Sequence, residues 1–207
     1  MEYTFPFHTC ENPKKGIAQP YSALFNLFNT MMILYFLLYT EKWYTFLLLF
    51  SIFIFEAFHL LSHIVHIKGP IQINITHVLA YFMNIAFFYA FYSSTHKVPG
   101  FLFMIYLFIV LCIDIYSFFN LSFVYYLTTT SLIYLSLLFY YFPFLPSYVQ
   151  KNIYTIIGLI GVVILLFLNE SLHCKKMMSM YSFPYHIFIE TVGIFLFYVI
   201  CKTFYRL

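Results

Sequence analysis

Glu56, His59, His63 and His66 lie close together in one apolar stretch. On a helix turning 100° per residue they fall within an arc of roughly 80°. One face would then carry three imidazoles and a carboxylate. His186 and Glu190 repeat the pairing elsewhere, one turn apart and pointing the same way. Imidazole and carboxylate ligands suit Zn(II) or non-haem iron. Three such ligands with one open position make a catalytic zinc, which polarises a carbonyl and lowers the pKa of bound water to about 7. Which second-stretch histidine binds stays open at this point. Glu56 could be the carboxylate that orients a ligand imidazole, and Asp114 could either support the site or tie two helices together.

The elements that must position these groups are membrane helices. Of 207 residues, 63% are hydrophobic and 8% charged, and the mean hydropathy is +0.88. A soluble domain carries about 25% charged residues, so this chain lacks the polar surface to cover a core in water. A bilayer has to act as solvent for its outer faces. The net charge of +3 is scattered, without a basic run that would read as a nucleic-acid footprint. The four cysteines have neither zinc-knuckle nor redox spacing.

A helix needs roughly 20 apolar residues to cross a bilayer core of about 30 Å. Seven runs meet that need: Tyr21–Tyr39, Tyr44–Ile67, Thr76–Ser94, Phe101–Phe119, Phe123–Phe142, Ile153–Leu168 and Pro184–Cys201. The expectation is an all-α, polytopic seven-transmembrane-helix bundle over residues 21–207, preceded by an N-terminal segment at residues 1–20. Lysine and arginine divide equally between the two sides, so charge does not orient the chain.

That topology sorts the polar groups by height. The second and fourth runs end on the N-terminal side, and the third and seventh begin there. Glu11, Glu56, His59, His63, His66, His77, Asp114, Glu170, His173, His186 and Glu190 therefore share one half of the membrane, and of eight histidines only His96 is clearly on the other side. Ionisable groups inside a membrane are costly and are functional candidates by default. A single polar site in one leaflet is expected, with a lipid ester or amide as its natural substrate.

At this point the chain resembles the alkaline ceramidases and their relatives in the CREST superfamily of seven-span, zinc-dependent membrane hydrolases. Cys10-Glu11, Ile17-Ala18-Gln19-Pro20-Tyr21 and Asn26-Leu27 are similar to the family's N-terminal elements. The family's second signature is a serine, a histidine four residues on and an aspartate eleven beyond. Ser62, His66 and His77 keep both spacings, with His77 in place of the aspartate. A competing register takes Phe58-His59 as the family's Phe-His pair. The third signature, two histidines four apart in the last span, stands here as His186 and Glu190 after Phe183-Pro184-Tyr185.

The resemblance implies a zinc held by a second-span histidine (His66, His63 or His59), His186 and Glu190. It implies that His77 or Ser62 holds or deprotonates the water, and that the substrate is a ceramide-like, sphingolipid amide. It further implies an endomembrane (ER or Golgi) setting in a eukaryotic or viral host, and a weak Ca2+ site at Glu11 and Gln19. The replacements at His77 and Glu190 alter the ligand set and the acid–base group. Two rivals stand beside this reading. His59-x3-His63-x2-His66 is similar to one histidine box of the membrane di-iron hydroxylases and desaturases. A non-enzymatic seven-span receptor or assembly protein of the same fold is the other.

Overall fold

The computed structural model describes residue 11 and residues 14–65, 67, 69–120, 123–180 and 184–207; among these, the side chains of 69, 70, 120, 123–127, 171, 174, 175, 177, 178 and 180 are left aside. His66 lies outside the described residues, and so does Phe183.

Among the described residues seven α-helices follow one another: α1 (Pro20–Leu38), α2 (Trp43–Ile64), α3 (Gly69–Thr95), α4 (Phe101–Asn120), α5 (Phe123–Tyr141), α6 (Ser147–Met180) and α7 (His186–Phe204). Among the described residues, α1, α2, α3, α4, α6 and α7 contain stretches long and apolar enough to cross a membrane, which makes the chain an integral membrane protein of helices. α5 has the same 19-residue length as α1. A 3-10 turn, Phe142–Phe144, joins α5 to α6 across Pro143 and Pro146.

Two helices differ from the apolar runs in the sequence. α3 starts at Gly69, well before Thr76, because Pro70 sits in its first turn, where a missing N–H costs nothing. α6 spans 34 residues and continues through Asn169, Glu170 and Lys176. Hydropathy marks only the part of a helix that lies in lipid, and α6 runs beyond it.

The N-terminal segment organises the start of the bundle. Pro20 opens α1, but its N-cap, Gln19, makes no side-chain cap. Glu11 supplies the cap instead. Its carboxylate accepts from the Tyr21 N–H at 2.5 Å, the Ser22 N–H at 3.1 Å and the Ser22 hydroxyl at 2.6 Å. The two N–H groups are orphan donors of the first helical turn, where negative charge is also favoured. Before α1 the chain turns back at Lys15 and Gly16, both left-handed, with φ of 53° and 83°. That turn delivers Ala18 and Gln19 to the end of α2, where their N–H groups donate to the Ile64 carbonyl at 3.2 Å and the His63 carbonyl at 2.9 Å.

α1 packs against both α2 and α7, α2 against α3, α3 against α5, α5 against α4, and α7 against α6. α2 and α7 meet sparsely, so α1 is their common support. The apolar core lies in the half away from the N-terminus. It joins Ile33 and Phe36 of α1, Leu48 and Ile52 of α2, Ala90 and Phe91 of α3, Tyr141 of α5 and Cys201 and Phe204 of α7. Small residues such as Ala86 and Ala90 let α3 approach closely, since packing rather than water exclusion holds helices together in lipid. The other half of the bundle is polar inside.

Candidate metal centre

α2 carries His59 and His63 on one face, and α7 carries His186 and Glu190 on the face turned toward it. His63 is fully buried, Glu190 and His186 are buried, and the His59 side chain keeps 24% of its surface exposed. His59 Nε2 and His63 Nε2 face each other at 3.0 Å. His63 Nε2 lies 3.5 Å from Glu190 Oε1. The ligand atoms of His59, His63 and Glu190 all fall within 4.8 Å of one another.

The outer ring nitrogens are committed. His63 Nδ1 faces Gln19 Oε1, which the N-terminal segment places over it. His59 Nδ1 faces Glu56 Oε2 at 3.4 Å, and Glu56 also accepts from Asn29 Nδ2 at 3.0 Å. An amide oxygen and a carboxylate accept hydrogen bonds, so each ring donates from Nδ1, and a ring with no second proton turns its Nε2 lone pair inward. Two lone pairs facing at 3.0 Å repel unless a proton or a metal ion lies between them. Ligand atoms around a tetrahedral zinc at 2.0–2.1 Å stand about 3.3–3.4 Å apart, close to the 3.0 and 3.5 Å separations here. The donor set therefore fits one metal ion, which His59, His63 and Glu190 could hold while Gln19 and Glu56 orient the two rings.

His186 is set differently. Its Nδ1 is 2.8 Å from Glu170 Oε2, and its Nε2 is 3.0 Å from Glu190 Oε1. A nitrogen facing a carboxylate oxygen donates to it, so His186 bridges two acids rather than aiming a lone pair at a metal. Asn169 Nδ2 donates to Tyr185 Oη at 3.0 Å and fixes α6 beside the start of α7, which brings Glu170 to His186.

Several residues singled out in the sequence lie elsewhere. The Ser62 hydroxyl donates to its own helix, to the His59 carbonyl at 2.6 Å. The His77 ring stacks on Phe118 at 3.7 Å between ring centroids, with Tyr81 edge-on at 4.3 Å. Asp114 accepts from Tyr81, Thr129 and Thr130, so it belongs to a cluster on α3, α4 and α5. His173 is exposed on the extension of α6. Of the two residues of the expected Ca2+ site, Glu11 caps α1 and Gln19 faces the His63 ring. Sequence reasoning passed over Asn29 and Gln19 as supports of the centre. Glu170 stood only among the acids of the same leaflet; its position one residue after Asn169 at the end of the apolar run was its one signal.

No protein-family model, no curated protein and no solved structure matches this chain.

Proposed function

We propose that the chain is a zinc-dependent hydrolase of the alkaline ceramidase type, with seven spans, that cleaves a lipid amide within one leaflet. The observation that carries the reading is the meeting of His59, His63 and Glu190, whose ligand atoms lie within 4.8 Å of one another inside an apolar bundle. Bound there, zinc would polarise the scissile carbonyl and supply a water of pKa about 7. Two histidines and a glutamate leave a fourth position open, the ligand count of a catalytic rather than a structural site.

The remaining roles belong to the chain's own groups. Gln19 and Glu56 hold the two ligand rings in orientation. Glu170 holds His186, whose Nε2 proton points at the Glu190 oxygen on the edge of the centre. That proton stands where a leaving amine would need one. The partial exposure of His59 leaves a way in for a lipid carbonyl, while buried His63 keeps the far side dry. A di-iron reading fits less well. Each ring of His59 and His63 has one nitrogen committed to an acceptor, so the described residues furnish the ligands of one metal ion.

The test is hydrolysis of a short-chain fluorescent ceramide by purified protein in mild detergent. Fatty-acid release that stops on chelation, returns with zinc and is absent in Glu190→Ala is the expected result. A zinc-loaded protein that leaves lipid amides and esters intact would point to the non-enzymatic alternative.

A further inference from the structure

The end of the bundle away from the metal centre gathers the α1–α2 loop, the start of α6 and the end of α7. Lys42 Nζ donates to the Leu207 main-chain oxygen at 2.9 Å, and the Tyr148 hydroxyl to the Arg206 carbonyl at 3.0 Å. The α3–α4 loop joins them through the Tyr141 hydroxyl, which donates to the Lys97 carbonyl at 3.2 Å. This end exposes Lys42, Lys97, Lys151, Lys202 and Arg206 against one acid, Glu41. The ion pairs among the described residues link histidines to Glu56, Glu170 and Glu190 at the other end, and none includes these five cations. Along α2 the two ends are about 26–32 Å apart, from Lys42 to His59 and His63. A bilayer core is about 30 Å thick, so the cationic end lies in the opposite headgroup layer.

A cleft of about 440 Å³ opens there, walled by Tyr39, Glu41, Lys42, Tyr205 and Arg206. The Arg206 guanidinium lies over the Tyr205 ring at 4.8 Å, which leaves its edge donors for a ligand. A second cavity of about 310 Å³ shares Glu41 and Lys42 and is closed by Thr40, Trp43 and Phe46. Trp43, the chain's single tryptophan, is 65% exposed, as befits a side chain that settles at the headgroup level. It stacks on Phe46 at 5.5 Å, and Phe46 stacks on Phe50 at 5.9 Å. These rings descend about 10 Å along α2 into the apolar layer.

We propose that this cleft binds an anionic phospholipid, with its phosphate between Lys42 and Arg206 and an acyl chain along Trp43, Phe46 and Phe50. Arginine meets phosphate oxygens through its fork and lysine as a point charge. Glu41 leaves the cleft with one net positive charge, which a headgroup of one net negative charge neutralises. The stacked rings select a lipid over free phosphate. The site does not depend on the metal centre.

Trp43 is also the probe. The full chain is reconstituted in phosphatidylcholine bilayers, and either phosphatidylglycerol or phosphatidylcholine with dibrominated chains is introduced, since bromine quenches tryptophan fluorescence on contact. The expected result is half-quenching at about a tenfold lower mole fraction of brominated phosphatidylglycerol. Arg206→Gln should reduce that preference about fivefold, the weight of one cation near a membrane surface, and the double variant Lys42→Gln, Arg206→Gln should abolish it. Lys151→Gln, at the same end but outside the cleft, should leave it unchanged. Quenching of each variant by brominated phosphatidylcholine verifies that Trp43 still meets the lipid. Equal quenching of the wild type by the two lipids would overturn the proposal. So would an equal loss in Lys151→Gln, which would mean diffuse surface charge, or relief of quenching by millimolar inorganic phosphate at constant ionic strength, which would mean a site for the free ion.

Discussion

His59 and His63 turn their Nε2 atoms toward each other across 3.0 Å, while their Nδ1 atoms are held by Glu56 and Gln19. A metal ion bound between them would make two bonds, and Glu190 would bring α7 into the same contact. Since α2 and α7 otherwise meet sparsely, such an ion would also be a tertiary cross-link. Chelation should lower the melting temperature, and zinc at 100 times its dissociation constant should restore about 2.7 kcal/mol. Thermal unfolding with and without chelator checks this; an unchanged midpoint would contradict it.

Gln19 binds the end of α2 twice, through its N–H to the His63 carbonyl and its side chain to the His63 ring. The backbone contact survives Gln19→Ala while the ring loses its orienting acceptor. Zinc affinity should fall 10- to 100-fold, the usual effect of removing such support, with the fold retained. A competition titration against a zinc indicator measures it.

His186 separates the ligand roles implied by resemblance from those read in the geometry. Because both its nitrogens face carboxylates, His186→Ala should keep most of the bound zinc and lose turnover by about 10²- to 10⁴-fold, the range for a group that positions or transfers a proton. Metal content and rate measured on one preparation decide the matter: an empty site would make His186 a ligand.

Glu11 caps α1 from outside the helix. Glu11→Ala leaves the first turn's donors without that acceptor and should cost about 1–2 kcal/mol of stability, with zinc stoichiometry unchanged. Denaturation in a titrated detergent mixture, followed by metal analysis, checks both halves.

The contrast between what the sequence reveals and what it conceals lies between height and azimuth. Runs such as Tyr21–Tyr39 and Phe101–Phe119 fall within a residue or so of α1 and α4, because hydropathy reports the lipid-facing length directly. The odd number of helices also sorts Glu56, His77, Asp114 and His186 to one half of the bundle. It does not say on which side of α2 each lies. His77 on α3 and Asp114 on α4 turn to their own group of helices, His77 stacking on Phe118 of α4 and Asp114 accepting from Tyr81 of α3 and Thr129 and Thr130 of α5. The support of the centre by Gln19 was equally hidden, because it depends on the left-handed turn at Lys15 and Gly16 and on a hydrogen bond spanning 44 residues. Glu170 was concealed by the length of α6, whose helix continues where its apolar run stops.

The most direct test of the centre is elemental analysis of the full chain purified in mild detergent, wild type beside His63→Ala. His63 lies between His59 and Glu190, 3.0 Å from one and 3.5 Å from the other, so it is the proposed ligand whose loss would dismantle the set. The expected result is about one zinc per chain in the wild type and almost none in His63→Ala, with the helical content of both alike. Two irons per chain in the wild type, or full zinc occupancy in His63→Ala, would contradict a single metal held between α2 and α7.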